Sequence, residues 1–244
     1  VPKSFQVPAF LCREQDSYIW IWIGEPDFAP TQPPGIANFQ QYHWYQGSVP
    51  MQCESIKAIE NNLDWCHPYF THPWTHGQFF ATHYRGFKEQ SYEMRIHASG
   101  LVVFAPATES ESDPIPESPP IRIDFELPDR VRVEFAKPCH RIILMHFVPT
   151  GAFTCRLEWL VTKILPFGSH TAWSDQEPVI FKQDRLILES ARSWYELEGD
   201  SFECSVEADA CTLLARKIVD LAAHNRWETL RSSLPQRRVV RVRA

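Results

Sequence analysis

The sequence predicts an α+β domain built on an antiparallel sheet, and two observations carry this. The middle of the chain holds successive short segments rich in β-branched and aromatic residues, at 121–125, 130–135, 141–148 and 154–163. Helical periodicity appears before them at 54–67, and after them at about 184–195 and 206–230. Strands grouped together with helices on both sides indicate α+β order, not the alternating units of a parallel sheet.

Near the start, Asp16 to Gly24 (DSYIWIWIG) reads as a strand with period-2 alternation, closed by Gly24 and Pro26. A Pro-punctuated linker runs from Pro26 to Gly35, and Gln40 to Pro50 reads as another short strand. Glu54 to His67 carries an apolar stripe of Ile56, Ile59, Leu63 and Cys66, with Pro68 and Pro73 expected to break or bend the helix. Short strands are expected between Phe87 and Phe104. Ala105 to Pro120 is polar, acidic and Pro-rich, which predicts a disordered loop or a lid.

Composition excludes several function classes. The chain has 44% hydrophobic residues, enough for a packed core, and nine Trp with sixteen Phe, which suits a large apolar interior or pocket. It has no GxGxxG and no GxxxxGK[ST], so no glycine-rich phosphate cradle. Residues 231–244 hold five Arg and no acid, leaving nineteen basic against thirty acidic residues in the rest, a balance of −11. An acidic body disfavours nucleic-acid binding. The basic tail reads as a solvated terminus. Seven cysteines at irregular spacing, without CxxC, favour reduced thiols over a disulfide scaffold. No signal peptide or membrane-length apolar run is visible, so a cytoplasmic or organellar-stromal location is expected.

The chemistry concentrates in Glu60 to His72 (ENNLDWCHPYFTH). Asp64 and His67, three apart, would share a helix face. His67 and His72, five apart, would diverge by about 140° on an ideal helix, so a distortion is required before both rings meet one ion. Two imidazoles suit Fe, Zn, Cu or Ni, and adding one carboxylate gives the facial triad of non-haem Fe(II) oxygenases.

The spacing N-x-x-D-x-x-H-x4-H, carried by Asn61, Asp64, His67 and His72, resembles the mononuclear iron motif of Rieske non-haem oxygenases. Asp184, followed five residues on by Glu189 in QDRLILES, is similar to the third ligand of that family. Arg13 to Pro26 resembles the last strands of the family's Rieske domain. His146 to Trp159 resembles its pocket strands, and Ala208 to Arg216 its closing helix. The resemblance is nearest to the monooxygenase and demethylase branch and the pheophorbide a oxygenase-like proteins.

That resemblance implies a helix-grip (START-like) fold with a curved antiparallel sheet and flanking helices. It implies residues 1–26 as a remnant of the Rieske domain and 27–244 as the oxygenase catalytic domain. Fe(II) would be held by His67, His72 and Asp184, with Asn61 and Asp64 at the catalytic centre. Asp64 would either bridge to a neighbouring subunit's cluster or orient His67 as a carboxylate partner. The reaction would be hydroxylation or oxidative demethylation of a small apolar or aromatic substrate with O2. Electrons would come from a Rieske [2Fe-2S] cluster fed by a ferredoxin or reductase, in a homotrimer. The cluster motifs C-x-H and C-x-x-H are absent, so the cluster is expected in a missing N-terminal domain, and the chain alone is not expected to turn over with NAD(P)H.

Two other readings stand beside this one. A helix-grip module without catalysis would bind a small apolar ligand, and a zinc hydrolase would use the same three ligands. Several local readings are simpler. His76 and His83 are expected at the surface and Cys66 as an inert buried thiol. Trp65, Phe70, Trp74, Phe79 and Phe80 are expected to line the pocket or fill the core.

Overall fold

The computed structural model describes residues 9–74, 90–117, 119–136, 140–163 and 176–242. His76, His83, Phe79 and Phe80 lie outside the described residues. The chain forms two compact units, Val1–His43 and Trp44–Ala244.

The first unit holds a hairpin of β1 (Leu11–Gln15) and β2 (Tyr18–Trp22). The strand expected from Asp16 therefore starts at Tyr18. Asp16 and Ser17 form the two-residue turn, with φ of 52° and 63°. Two positive φ values match the twist of paired strands, and Asp tolerates the left-handed region better than most residues.

The second unit is an eight-stranded sheet with helices. Its strands are β3 (His43–Met51), β4 (Gln90–His97), β5 (Gly100–Ala105), β6 (Ile121–Glu126), β7 (Arg130–Phe135), β8 (Arg141–Gly151), β9 (Thr154–Lys163) and β10 (Arg237–Val242). The order is β10-β4-β5-β6-β7-β8-β9-β3, with antiparallel pairing from β10 through β9. The expected α+β class and antiparallel sheet are both present. Period-2 patterning sets the faces: in β7, Val131, Val133 and Phe135 are buried, while Arg130, Arg132 and Glu134 are partly exposed. Gly100 is required where β5 meets β6, because a Cβ there would lie 2.0 Å from the Phe125 carbonyl oxygen.

The helices are α1 (Ser55–Leu63), α2 (His67–Thr71), α3 (Gln176–Glu198), α4 (Ala210–Ala223) and α5 (Trp227–Leu230). α1 packs on β8 and β9 and against α3 and α4. Its buried Ala58, Ile59 and Leu63 join the core cluster on the sheet face that carries Val131, Val133, Met145 and Phe147. Behind α1, Arg216 donates to both carboxylate oxygens of Glu60 and to Glu203, while Lys57 donates to Asp200 and Glu203. These pairs fasten α1 to α4 and the turn before it.

Several expectations need correction. The helix expected over 54–67 ends at Leu63. The chain opens at Asp64, which has ψ of 108°, and re-enters a helix at His67. Asp64 and His67 therefore do not share a helix face. Pro68 does not break a helix but sits at the start of α2, where its missing N–H costs nothing. α3 begins eight residues before Asp184, because Pro178 lies in its first turn and is tolerated there. The last helix splits at Asn225, which takes φ of 55° and ends α4 as a left-handed cap.

The acidic loop is tied to β4 by hydrogen bonds. Thr108 donates to Glu93, and Arg95 donates to the Asp113 carbonyl and to Thr108. The basic tail is not a solvated terminus. It forms β10, with Val240 fully buried and Arg237 paired with Glu93 of β4. Its three β-branched valines, Val239, Val240 and Val242, are the strand signal that charge counting overrode.

Candidate metal centre

Three elements bring the site together. α2 is only five residues long, and His72 leaves it with φ of −122° and ψ of 48° while its N–H still donates to the Pro68 carbonyl. That early exit removes the divergence an ideal helix would impose. The two imidazole rings stand 5.3 Å apart at 82° to one another. α3 turns Ile180, Phe181 and Asp184 inward, as spacings of three and four dictate. Asp184 is 3% exposed and His72 1% exposed.

Nε2 of His72 lies 3.0 Å from Asp184 Oδ1, and Nε2 of His67 lies 3.7 Å from the same oxygen. One ligand atom from each of the three residues falls within 4.8 Å of the others. The sequence expectation that these residues converge is met in this geometry, despite their separation along the chain.

The far edge of each ring is also held. Nδ1 of His67 lies 2.7 Å from the backbone carbonyl of Asp64, and Nδ1 of His72 lies 2.9 Å from Gln183 Oε1. With Nδ1–H donating in both rings, both Nε2 lone pairs face the carboxylate. Lone pairs facing a carboxylate repel unless a cation lies among them. Oδ1 of Asp184 is enclosed and receives no hydrogen bond among the described residues. A buried carboxylate needs compensation by a proton or a metal, and two imidazoles with one carboxylate are the donor set of a facial-triad iron site. The residues present fit that group.

The two histidines respond differently to the site. Burial lowers the pKa of His67 more than Asp184, at 3.7 Å, raises it, so this ring is held neutral. Burial also works to lower His72, but Asp184 and Gln183 outweigh it and the net shift is upward. Burial pushes the Cys66 thiol up to about 11, which fits the expected inert thiol.

Asp64 acts through two atoms. Its carbonyl holds His67, while its carboxylate accepts from the Cys66 N–H at 2.8 Å and shapes the bend between α1 and α2. The orienting contact on His67 is thus main-chain, not the carboxylate contact the sequence suggested. Asn61 does not border the ligands' pocket. It lines a separate polar cavity with Lys57, Glu60, Glu203 and Arg216, and Asp64 borders both spaces. Glu189 is remote in role too: it accepts from the Gln52 N–H and from Arg185, tying α3 to the turn between β3 and α1.

An apolar pocket adjoins the ligands. Its walls are Ile121 and Ile123 of β6, Val133 and Phe135 of β7, Ile143 and Met145 of β8, and Ile180 and Phe181 of α3, with Asn62 and Trp65 beside the histidines. Its free volume is about 60 Å³. Trp65 thus meets the expectation of a pocket aromatic, whereas Phe70 and Trp74 are 69% and 84% exposed. Sequence reasoning missed Asn62, Gln183 and the strand positions. Inward alternation in the strands and the helical spacing of Ile180, Phe181 and Asp184 were the available signals.

No protein-family model matches the chain, and no curated protein matches it. Solved structures do. NdmA of Pseudomonas putida CBB5 with caffeine superposes with a TM-score of 0.68 at 19% identity, over 98% of this chain and 70% of that one. NdmB of the same organism gives 0.68 at 18% identity, over 98% and 68%. Dicamba monooxygenase bound to dicamba gives 0.59 at 15% identity, over 96% and 73%.

The chain shares the α+β fold of these structures, an antiparallel sheet with flanking helices. In this helix-grip architecture the sheet supplies one wall of the pocket, while α2, the residue that follows it and α3 supply the three candidate ligands. No helix among the described residues is long and apolar enough to cross a membrane.

Proposed function

We propose that the chain is the catalytic domain of a mononuclear non-haem iron oxygenase that hydroxylates or oxidatively demethylates a small aromatic substrate. The observation that carries this reading is the convergence of His67, His72 and Asp184 beside an apolar pocket, with both Nδ1 edges already engaged. Bound through both Nε2 atoms and the Asp184 carboxylate, Fe(II) would supply O2 activation.

The chain's own residues supply binding and exclusion of water. Ile123, Val133, Phe135 and Ile143 offer a dry face to an aromatic ring. The free volume of about 60 Å³ is below the ~150 Å³ that takes a benzene ring, so an aromatic substrate would need the wall side chains to repack. Met145 is the most adaptable of these, being unbranched. Caffeine and dicamba, the molecules bound in the similar structures, are compact aromatics with N- or O-methyl groups, and this supports the substrate class.

In this reading the Val1–His43 unit includes the end of a Rieske domain, and residues 27–244 belong to the catalytic domain. A [2Fe-2S] cluster in a neighbouring subunit of a homotrimer, served by a ferredoxin or reductase, would supply the electrons, and Asp64 would lie on their way to the site. The position of Asp64 between the pocket and the outer polar cavity supports that route.

Hydrogen peroxide tests the reaction without a cluster, because it brings both the oxygen and the electrons: substrate C–H and H2O2 give C–OH and water. A panel of N- and O-methyl aromatics is incubated with the iron-loaded chain and 18O-labelled peroxide. The expected result is labelled product or released formaldehyde from wild type and none from Asp184→Ala. Equal yields from the two proteins would overturn the reading.

A further inference from the structure

We propose that Gln183 is the positioning residue that selects the metal-binding form of His72. The inference rests on the metal reading above and adds a residue to it. α3 grips both edges of one imidazole with successive side chains. Gln183 Oε1 lies 2.9 Å from Nδ1, and Asp184 Oδ1 lies 3.0 Å from Nε2. Neighbouring helix positions point about 100° apart, so this pair can straddle a ring only when the ring enters between them. His72 does so because it leaves α2 at its last turn.

A neutral imidazole carries one N–H, on either nitrogen. An acceptor at Nδ1 fixes the proton there and leaves the Nε2 lone pair toward Asp184, the arrangement a metal needs. Without that acceptor, the proton is better placed on Nε2, where it donates to the buried carboxylate and closes the site to metal. His67 needs no such side chain, since the Asp64 carbonyl holds its Nδ1 at 2.7 Å. A main-chain acceptor survives any substitution of its own side chain, whereas the control on His72 rests on one replaceable residue. Gln183 is half-buried on a long helix whose core contacts come from Ile180 and Phe181, so its replacement leaves the packing in place.

Two substitutions separate positioning from bulk. Gln183→Leu keeps the volume and removes the acceptor, while Gln183→Glu keeps an acceptor that cannot donate when ionised. Co(II) is titrated into metal-free wild type and both variants against a competing chelator, and the Zn(II)-loaded forms are inspected by 15N-edited NMR for the slowly exchanging Nδ1 proton of His72. Gln183→Leu is expected to bind Co(II) about 10–100-fold more weakly and to lose the NMR signal, while Gln183→Glu keeps both at the wild-type level. Wild-type affinity in Gln183→Leu, or equal weakening in the two variants, overturns the proposal and leaves the metal site intact. Failure of wild type to bind Co(II) overturns the metal reading itself.

Discussion

The carboxylate of Asp184 lies 3.0 Å from Nε2 of His72, although six strands separate α2 from α3 along the chain. The contact is favourable when a proton or a metal lies in it, and the two compete for that place. Burial acts to depress His72, yet Asp184 and Gln183 leave its pKa above the ordinary 6.5. His67 is shifted the other way. Metal affinity should therefore fall as pH is lowered, and the fall should begin above 6.5 because His72 takes up its proton there. Metal binding should displace protons chiefly from His72, whose pKa is raised, and not from His67, whose pKa is lowered. Isothermal titration in buffers of different ionisation enthalpy measures the number displaced. A proton count of zero between pH 6 and 7 would contradict the site.

Filling the pocket should separate substrate from metal. Val133 faces the pocket from β7 and is not among the candidate ligands. Val133→Trp should abolish binding of aromatic ligands while leaving metal stoichiometry unchanged. Fluorescence or calorimetric titration with N-methyl aromatics, beside metal analysis of the same sample, checks both halves. Unchanged ligand affinity would place the substrate elsewhere.

The sheet was legible in the sequence because its signals are local. β7 and β9 match their expected ranges to the residue, since their β-branched and aromatic residues mark a strand locally. The ligands were legible from their spacing, but their geometry was not. The bend at Asp64 is made by its carboxylate on the Cys66 N–H, an alternative that a periodicity argument does not weigh. Gln183 was invisible because its importance arises only when α3 meets His72 from across the chain. The C-terminal strand was missed because five arginines suggested solvent, whereas Glu93 on β4 gives Arg237 a buried partner.

That Glu93 pair sets an acid limit on stability. Burial alone would raise the Glu93 carboxyl, but hydrogen bonds from Arg237, Thr108 and Arg95 outweigh it and hold its pKa at about 2. Glu203 is likewise held at about 2, with Arg216, Lys57 and Tyr195 overcoming the effect of burial. A depressed carboxyl stabilises the fold above its unfolded value of 4.5 and loses that contribution as pH falls toward 2. Each carries about 3 kcal/mol at most by the size of its shift. Chemical denaturation between pH 5 and 2 should show stability declining across that window. Glu93→Gln should start less stable at neutral pH and decline less steeply. A slope equal to that of wild type would contradict the role given to Glu93.

The central claim is that His67, His72 and Asp184 together hold one iron with positions left open to O2 and substrate. Nitric oxide reports this directly, because it binds an open position of non-haem Fe(II) and gives an S = 3/2 electron paramagnetic resonance signal. The Fe(II)-loaded chain should give that signal at one spin per chain, and a pocket-binding aromatic should perturb its rhombicity. His67→Ala, His72→Ala and Asp184→Ala should each lose the signal while keeping the β-rich circular dichroism of the wild type. A full signal in any of the three variants, or none in wild type that retains iron, would contradict the account.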